Sequence, residues 1–242
     1  MKTILFRADD AGSSHSANRA IRECVRSGVV RNVSFMVPGP AFEAAVELFA
    51  GISDFDRGLH VTLNSEWDRI KWGPVTPPHE VPSLVESDGA FTTTPAILHE
   101  RGFSVAEAMT EVRAQLDYAR QCGLAVDYLD EHMGVSWIGL GDGLRDLATR
   151  EGIVYRPDLP YVSLGILECV ADELVPAGSP SVAVFHPSHN TGEMRMVGNA
   201  EWSGATVARD RDLERLFHVD PRLPACLEKA DRTSVRYSEL DA

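Results

Sequence analysis

Long apolar runs are missing from this sequence. The N-terminus, MKTILFRADD, holds only Ile4 to Phe6 as an uninterrupted apolar run, far short of a signal-peptide core. No segment approaches the ~20 apolar residues of a membrane span, so the chain is expected to be cytoplasmic. Paired cysteines are missing too. Cys24, Cys122, Cys169 and Cys226 are scattered singly, which excludes CxxC-type zinc ribbons and thioredoxin-like motifs and suits separate reduced thiols. Basic runs are absent and the formal net charge is −13. That balance opposes binding to a nucleic-acid backbone or to an anionic membrane surface, both of which need clustered Lys and Arg. There is no GxSxG nucleophile motif. GLGDG at Gly139–Gly143 lacks both GxGxxG spacing and a following GK[ST], so it reads as a turn and a helix start.

What is present is an alternation of short apolar runs with helical periodicity over 242 residues, a length that suits one α/β domain with a mostly parallel sheet. Strands are expected at Thr3–Ala8, Asn32–Val37, Arg57–Leu63, Val126–Leu129, Ile153–Tyr155, Ser181–Phe185 and Ser234–Tyr237, about seven in all. After Ser13 and Ser14, both good caps, Ala17, Ala20, Ile21, Cys24 and Val25 fall on one helical face, and Gly28 is placed to end that helix. Further helices are expected from Pro40 to Phe49, after a Ser104–Glu107 capping box, at Leu140–Thr149 and at Val207–Phe217. Residues 64–103 carry Pro74, Pro77, Pro78, Pro82 and Pro95 with few periodic stretches, which suits a lid-like or binding insertion as well as a plain surface excursion. Residues 157–180 have no clear pattern.

Ionisable residues recur at or just after the expected strands: Asp9 and Asp10, His60, Asp130 and His132, Arg156, and His186. In a parallel sheet these ends share one edge, where active sites of barrel and open-sheet enzymes lie. Each piece alone has an ordinary reading. The Asp pair could cap the next helix, His60 could be a hydrogen-bonded core residue, His132 a loop residue, His186 a strand end tied to backbone, and Arg156 a plain salt-bridge partner. Together, Asp10, His60 and His132 supply one carboxylate and two imidazoles, a facial set for a divalent ion such as Mg2+ or Zn2+. Both Asp9 and Asp10 can serve one site only if the strand turns there, since successive strand residues face opposite ways. Gly12 permits such a turn. Asp130 could orient a ligand histidine, Arg156 could bind substrate oxygens, and His186 could protonate a leaving amine. His15, His79, His99 and His218 read as surface residues, and His189 receives no role.

In order along the chain, FRADDAG, GLHVTL (58–63), LDEHMG (129–134), YRP (155–157), FHP (185–187), ARDRDLERL (208–216) and VRYSEL (235–240) resemble the YdjC-like carbohydrate deacetylases. The resemblance spans nearly the whole chain. It implies a distorted (β/α) barrel of about seven mostly parallel strands in a single domain, often homodimeric. It also implies hydrolysis of an N-acetyl group on an amino-sugar-containing saccharide by an enzyme carrying one divalent metal ion. By position, Asp10, His60 and His132 match the family's metal ligands, Asp9 its catalytic base and His186 its general acid. Three departures concern the pocket lining: Arg7 and Ala11 stand in a motif that usually reads NADDFG, Gly134 stands in place of a second histidine, and Ser188 follows His-Pro where the family has Gly. Two rivals are a barrel metallohydrolase such as a phosphoesterase, disfavoured by the few basic residues expected near the rim, and a non-catalytic metal- or sugar-binding protein.

Overall fold

Ile4, Leu5 and Phe6 are completely buried because their strand has a neighbour on each side in the sheet. The computed structural model describes residues 2–162 and 180–240, so Cys169 and most of the patternless stretch lie outside the described residues. Strand β1 (Lys2–Ala11) lies between β2 (Asn32–Phe35) and β6 (Ser181–Phe185), and the order continues outward through β3 (Asp56–Val61), β4 (Tyr128–Glu131) and β5 (Val154–Tyr155). A short β7 (Arg232–Ser234) pairs with the first residues of β1. Among the described residues, each pairing between these seven strands is parallel. The sheet curls into a half-barrel, and the segment after β5 lies against β6 through a Tyr161–Val182 bridge.

Among the described residues the α-helices are α1 (His15–Arg26), α2 (Phe42–Phe49), α3 (Pro95–Arg101), α4 (Val105–Gln121), α5 (Gly141–Glu151), α6 (Gly204–His218) and α7 (Leu223–Lys229). Ile4, Phe6 and Ala8 of β1 join Ala17 and Ile21 of α1 in the main core. The alternate residue Leu5 joins Tyr128, Leu159, Val182 and Tyr237 in a second, smaller core within the curl. A period of two therefore sorts each strand into a helix-facing set and an inner set. Gly58 is required on the inner face of β3, because a Cβ there would come within 2.3 Å of the Tyr128 ring.

Local chemistry explains most boundaries. Ser14 caps α1 by accepting from Ala17 N–H, and the apolar stripe expected on this helix is buried. Gly28 follows with a φ of 87°. GLGDG leads into α5, with Gly139 left-handed. Ser104 caps α4, but Glu107 does not return the bond as a capping box would; its carboxylate accepts from Ser83 N–H instead. Residues 64–103 pack closely and contain α3, which is too short to show periodicity, and Trp72, Val81, Leu84 and Phe91 are buried there. The fully buried carboxylate of Glu111 in α4 accepts from Val75 N–H, Thr76 N–H and Gln115 Nε2, tying this excursion to the barrel. The last strand forms earlier than expected, because residues 237–239 turn into a 3-10 helix held by Asn32 Oδ1 and the Asp56 carboxylate. Helix α7 was not expected either, being seven residues long. Among the described residues no helix is long and apolar enough to cross a membrane.

His218 corrects a surface expectation, being wholly buried among Phe6, Phe185 and Phe217. Burial pushes its imidazole down to about 4, against a smaller opposing effect of the Glu214 carbonyl that Nδ1 contacts. The unfolded chain, with an ordinary histidine pKa near 6.5, therefore binds the proton more readily than the native state. This contribution to stability is complete above about pH 6.5 and is lost as pH falls toward 4. His218→Phe is expected to remove that dependence. Urea midpoints compared across this window should show wild type losing on the order of 3 kcal/mol relative to the variant, and parallel pH profiles would contradict the assignment.

Candidate metal and catalytic site

Four parallel strands deliver their C-terminal residues to one cavity of about 940 Å³, lined among others by Asp9, Asp10, His60, His132, His186 and Arg211. The adjacent aspartates both reach it because Asp10 adopts a left-handed backbone with a φ of 67°. That single residue breaks the alternation of β1 and shifts its register with β2 between Ala8 and Ala11. A left-handed non-glycine costs of the order of 1 kcal/mol or more and persists only when its surroundings hold it. The expected turn thus occurs at Asp10, and Gly12 (φ 105°) completes it, with a Cβ there 2.7 Å from the Met36 carbonyl.

His60 and Asp130 are cross-strand partners in the β3–β4 register. His60 Nδ1 donates to Asp130 Oδ2 at 3.0 Å, which turns Nε2 toward Asp10. His132 follows β4, with Met133 and Gly134 both at positive φ. Its Nε2 lies 2.9 Å from Glu66 Oε2, and its Nδ1 faces the other two residues. The inward atoms Asp10 Oδ1, His60 Nε2 and His132 Nδ1 form a triangle with sides of 3.2, 3.4 and 3.6 Å. The corners of such a triangle lie about 2 Å from its centre, and metal–ligand bonds from oxygen and nitrogen are about 2.0–2.2 Å. Among the described residues Asp10 Oδ1 is buried with no hydrogen-bond partner. The donor set and the orphaned oxygen both fit a divalent cation.

The electrostatics agree. Burial opposes ionisation of Asp10, but Arg211, His132 and His186 outweigh it and hold this carboxyl well below its usual range. Burial likewise opposes a charge on His132, yet Glu66 and Asp10 raise it to about 10. The centre of the triangle therefore favours positive charge.

The other sequence candidates separate. His186, half-buried after β6, lines the cavity, and its backbone N–H is held by the Glu214 carboxylate. Asp130 reaches His60 rather than His132. Arg156 forms an ion pair with Asp158 and is not among the lining residues, although Pro157 beside it is. The scarcity of basic residues expected at the rim is also corrected. Arg7 forks onto Asp9 with Nε–Oδ1 and Nη2–Oδ2 both at 2.7 Å, and Arg211 Nη2 lies 2.9 Å from Asp10 Oδ2. Glu66, Trp67, Trp202 and Arg211 were not picked out from sequence, and Arg7 was noted only as a departure in the pocket lining. Arg7 and Arg211 at least lay inside the recognised FRADDAG and ARDRDLERL stretches, whereas Glu66 opened the excursion with no motif to mark it.

Curated proteins are similar to this chain over a little more than half its length. A carbohydrate deacetylase of Vibrio vulnificus is 32% identical over 129 residues, covering 53% of this chain and 48% of that protein. One of Oceanobacillus iheyensis is 30% identical over 146 residues, covering 60% of each, and one of Thermoanaerobacter pseudethanolicus is 27% identical over 139 residues, covering 54% and 50%. The chain thus spans about half the length of the curated relatives it matches. A solved Enterococcus faecalis structure, named for cellobiose-phosphate cleavage, superposes with a TM-score of 0.79 at 20% identity, covering 100% of this chain and 99% of that one, and so shares the fold. The model of the YdjC-like protein family matches residues 3–164, which include Asp9, Asp10, His60 and His132, and by that match this chain belongs to the YdjC-like family.

Proposed function

We propose that the chain is a metal-dependent hydrolase that removes the N-acetyl group from an amino-sugar-containing saccharide and releases acetate. The observation that carries this reading is the Asp10–His60–His132 triangle beside the Asp9 carboxylate. The deacetylase names of the relatives support the substrate class.

Asp10, His60 and His132 would hold one divalent ion, Mg2+ or Zn2+, while Asp130 fixes the tautomer of His60 and Glu66 the ring of His132. Such an ion, when bound, acidifies a water and polarises the acetyl carbonyl. Asp9 takes the water's proton. Arg7 occupies one lone pair on each Asp9 oxygen and leaves the other available. The water oxygen bonds to the acetyl carbon, the carbon–nitrogen bond breaks, and protonated His186 gives its proton to the departing amine. Trp67, Tyr161 and Trp202 line the cavity and offer apolar faces to the sugar ring. Arg7 and Arg211 are both paired with carboxylates, so neither is free to hold a phosphate, which disfavours a phosphoesterase.

Asp9→Asn and His186→Ala are each expected to slow acetate release from N-acetylated oligosaccharides by about 10²–10⁴-fold while keeping metal by elemental analysis. Wild-type turnover in either variant would remove that residue from the mechanism. Exhaustive chelation of the wild-type protein is expected to abolish acetate release, and added Mg2+ or Zn2+ to restore it. Undiminished turnover in the chelated, metal-free protein would refute metal dependence.

A further inference from the structure

Strand β6 ends at Phe185, opposite Ala8 of β1, and the next residues along are His186 and Asp9, the proposed acid and base. The β1–β6 pairing stops there, so the sheet brings His186 to the site without fixing it. Helix α6 takes over. The His186 N–H donates to the Glu214 carboxylate, Pro187 has no N–H, and the Ser188 N–H donates to the Arg211 carbonyl at 3.1 Å. The backbone donors of the His-Pro-Ser segment are thus all bound to one helix. Pro187 and Ser188 are buried as well, so the freedom left to His186 is that of its side chain. Arg211 and Glu214 stand three residues apart and share a face of α6. From that face the Arg211 guanidinium also reaches Asp10 Oδ2 at 2.9 Å. One turn of helix therefore grips both a proposed metal ligand and the segment that carries the proposed acid.

We propose that Glu214 is a positioning residue for proton delivery. It fixes the His186 backbone so that the imidazole meets the departing amine, in register with the Asp10 carboxylate that Arg211 holds. A hydrogen bond to a charged acceptor is roughly twice as strong as one between neutral groups, which suits a tie that must keep one side chain in place. Glu214 does not line the cavity, so its effect on the reaction runs through His186.

The inference rests on the reading of His186 as general acid, and a double-mutant cycle separates the two. Turnover and KM for acetate release are measured for wild type, Glu214→Ala, His186→Ala and the double variant, with bound metal counted by elemental analysis and folding followed by circular dichroism. Glu214→Ala is expected to lower kcat by about 10–10²-fold, with KM and metal content unchanged. Added to His186→Ala it is expected to cost nothing more, because no imidazole is left to misplace. Glu214→Gln, which keeps an acceptor of the same reach, is expected to recover most of the loss. If Glu214→Ala does not fold, Glu214→Asp, one methylene shorter, takes its place in the cycle. Losses that multiply in the double variant would give Glu214 a purely structural role and overturn the proposal. So would loss of metal from the single variant, or an undiminished kcat in it beside a slowed His186→Ala. Wild-type turnover in His186→Ala would instead remove the acid from the proposed function, and this inference with it.

Discussion

Three carboxylates, those of Asp9, Asp10 and Asp130, are buried together at the mouth of a half-barrel, each no more than 5% exposed. Charges this close repel, and each loses its hydration on folding, so their presence is tolerable only if the rest of the site is arranged around them. It is. Arg7 grips Asp9 and touches Asp130, Arg211 reaches down from α6 to Asp10, and His60 donates to Asp130. Among the described residues two oxygens of these carboxylates are left without a hydrogen-bond partner, Asp130 Oδ1 and Asp10 Oδ1, and the latter faces two imidazole nitrogens. The proposed metal chemistry follows from that remainder.

The fold makes this concentration possible in two ways. A parallel sheet puts every strand's C-terminal end on one edge, so residues distant in sequence meet without long loops. The alternation of each strand then points Arg7 and Asp9, Ser34, His60, and Tyr128 and Asp130 into the same curl. There Ser34 Oγ lies 2.8 Å from Tyr128 Oη and donates to Asp130 at 2.9 Å. Only Asp10 departs from the alternation, and its left-handed backbone is the local strain that gives the site its second adjacent carboxylate. The excursion after β3 contributes Glu66 and Trp67 to the cavity, and Glu111 anchors it to α4. The element that lines the pocket is thereby fixed to the scaffold.

Much of this was legible in the sequence, for identifiable reasons. Short apolar runs marked the strands, and Ser181–Phe185 falls where its pattern placed it. Ser14 and the Ala17–Val25 stripe defined α1. The ionisable residues at strand ends indicated where the site lies, since chain direction alone brings those ends together. Elements of seven residues, α3 and α7, do not span enough turns to show a period. Pairings that close across the fold were invisible as well. Arg7 and Asp130 are 123 positions apart, a separation that no local spacing rule reaches. His218 read as polar and so as exposed, whereas its three phenyl neighbours come from β1, β6 and α6. Arg156 sat at the right strand end, but the Asp158 carboxylate two residues on captures it.

The central claim is that one cation is gripped by three side chains from three strand ends. Anomalous diffraction from crystals grown with Mn2+ or Zn2+, recorded at the edge of the metal used, tests it most directly. A single peak is expected about 2.0–2.3 Å from Asp10 Oδ1, His60 Nε2 and His132 Nδ1. A peak that does not have these three atoms as ligands, or no peak in the cavity at saturating metal, would contradict it.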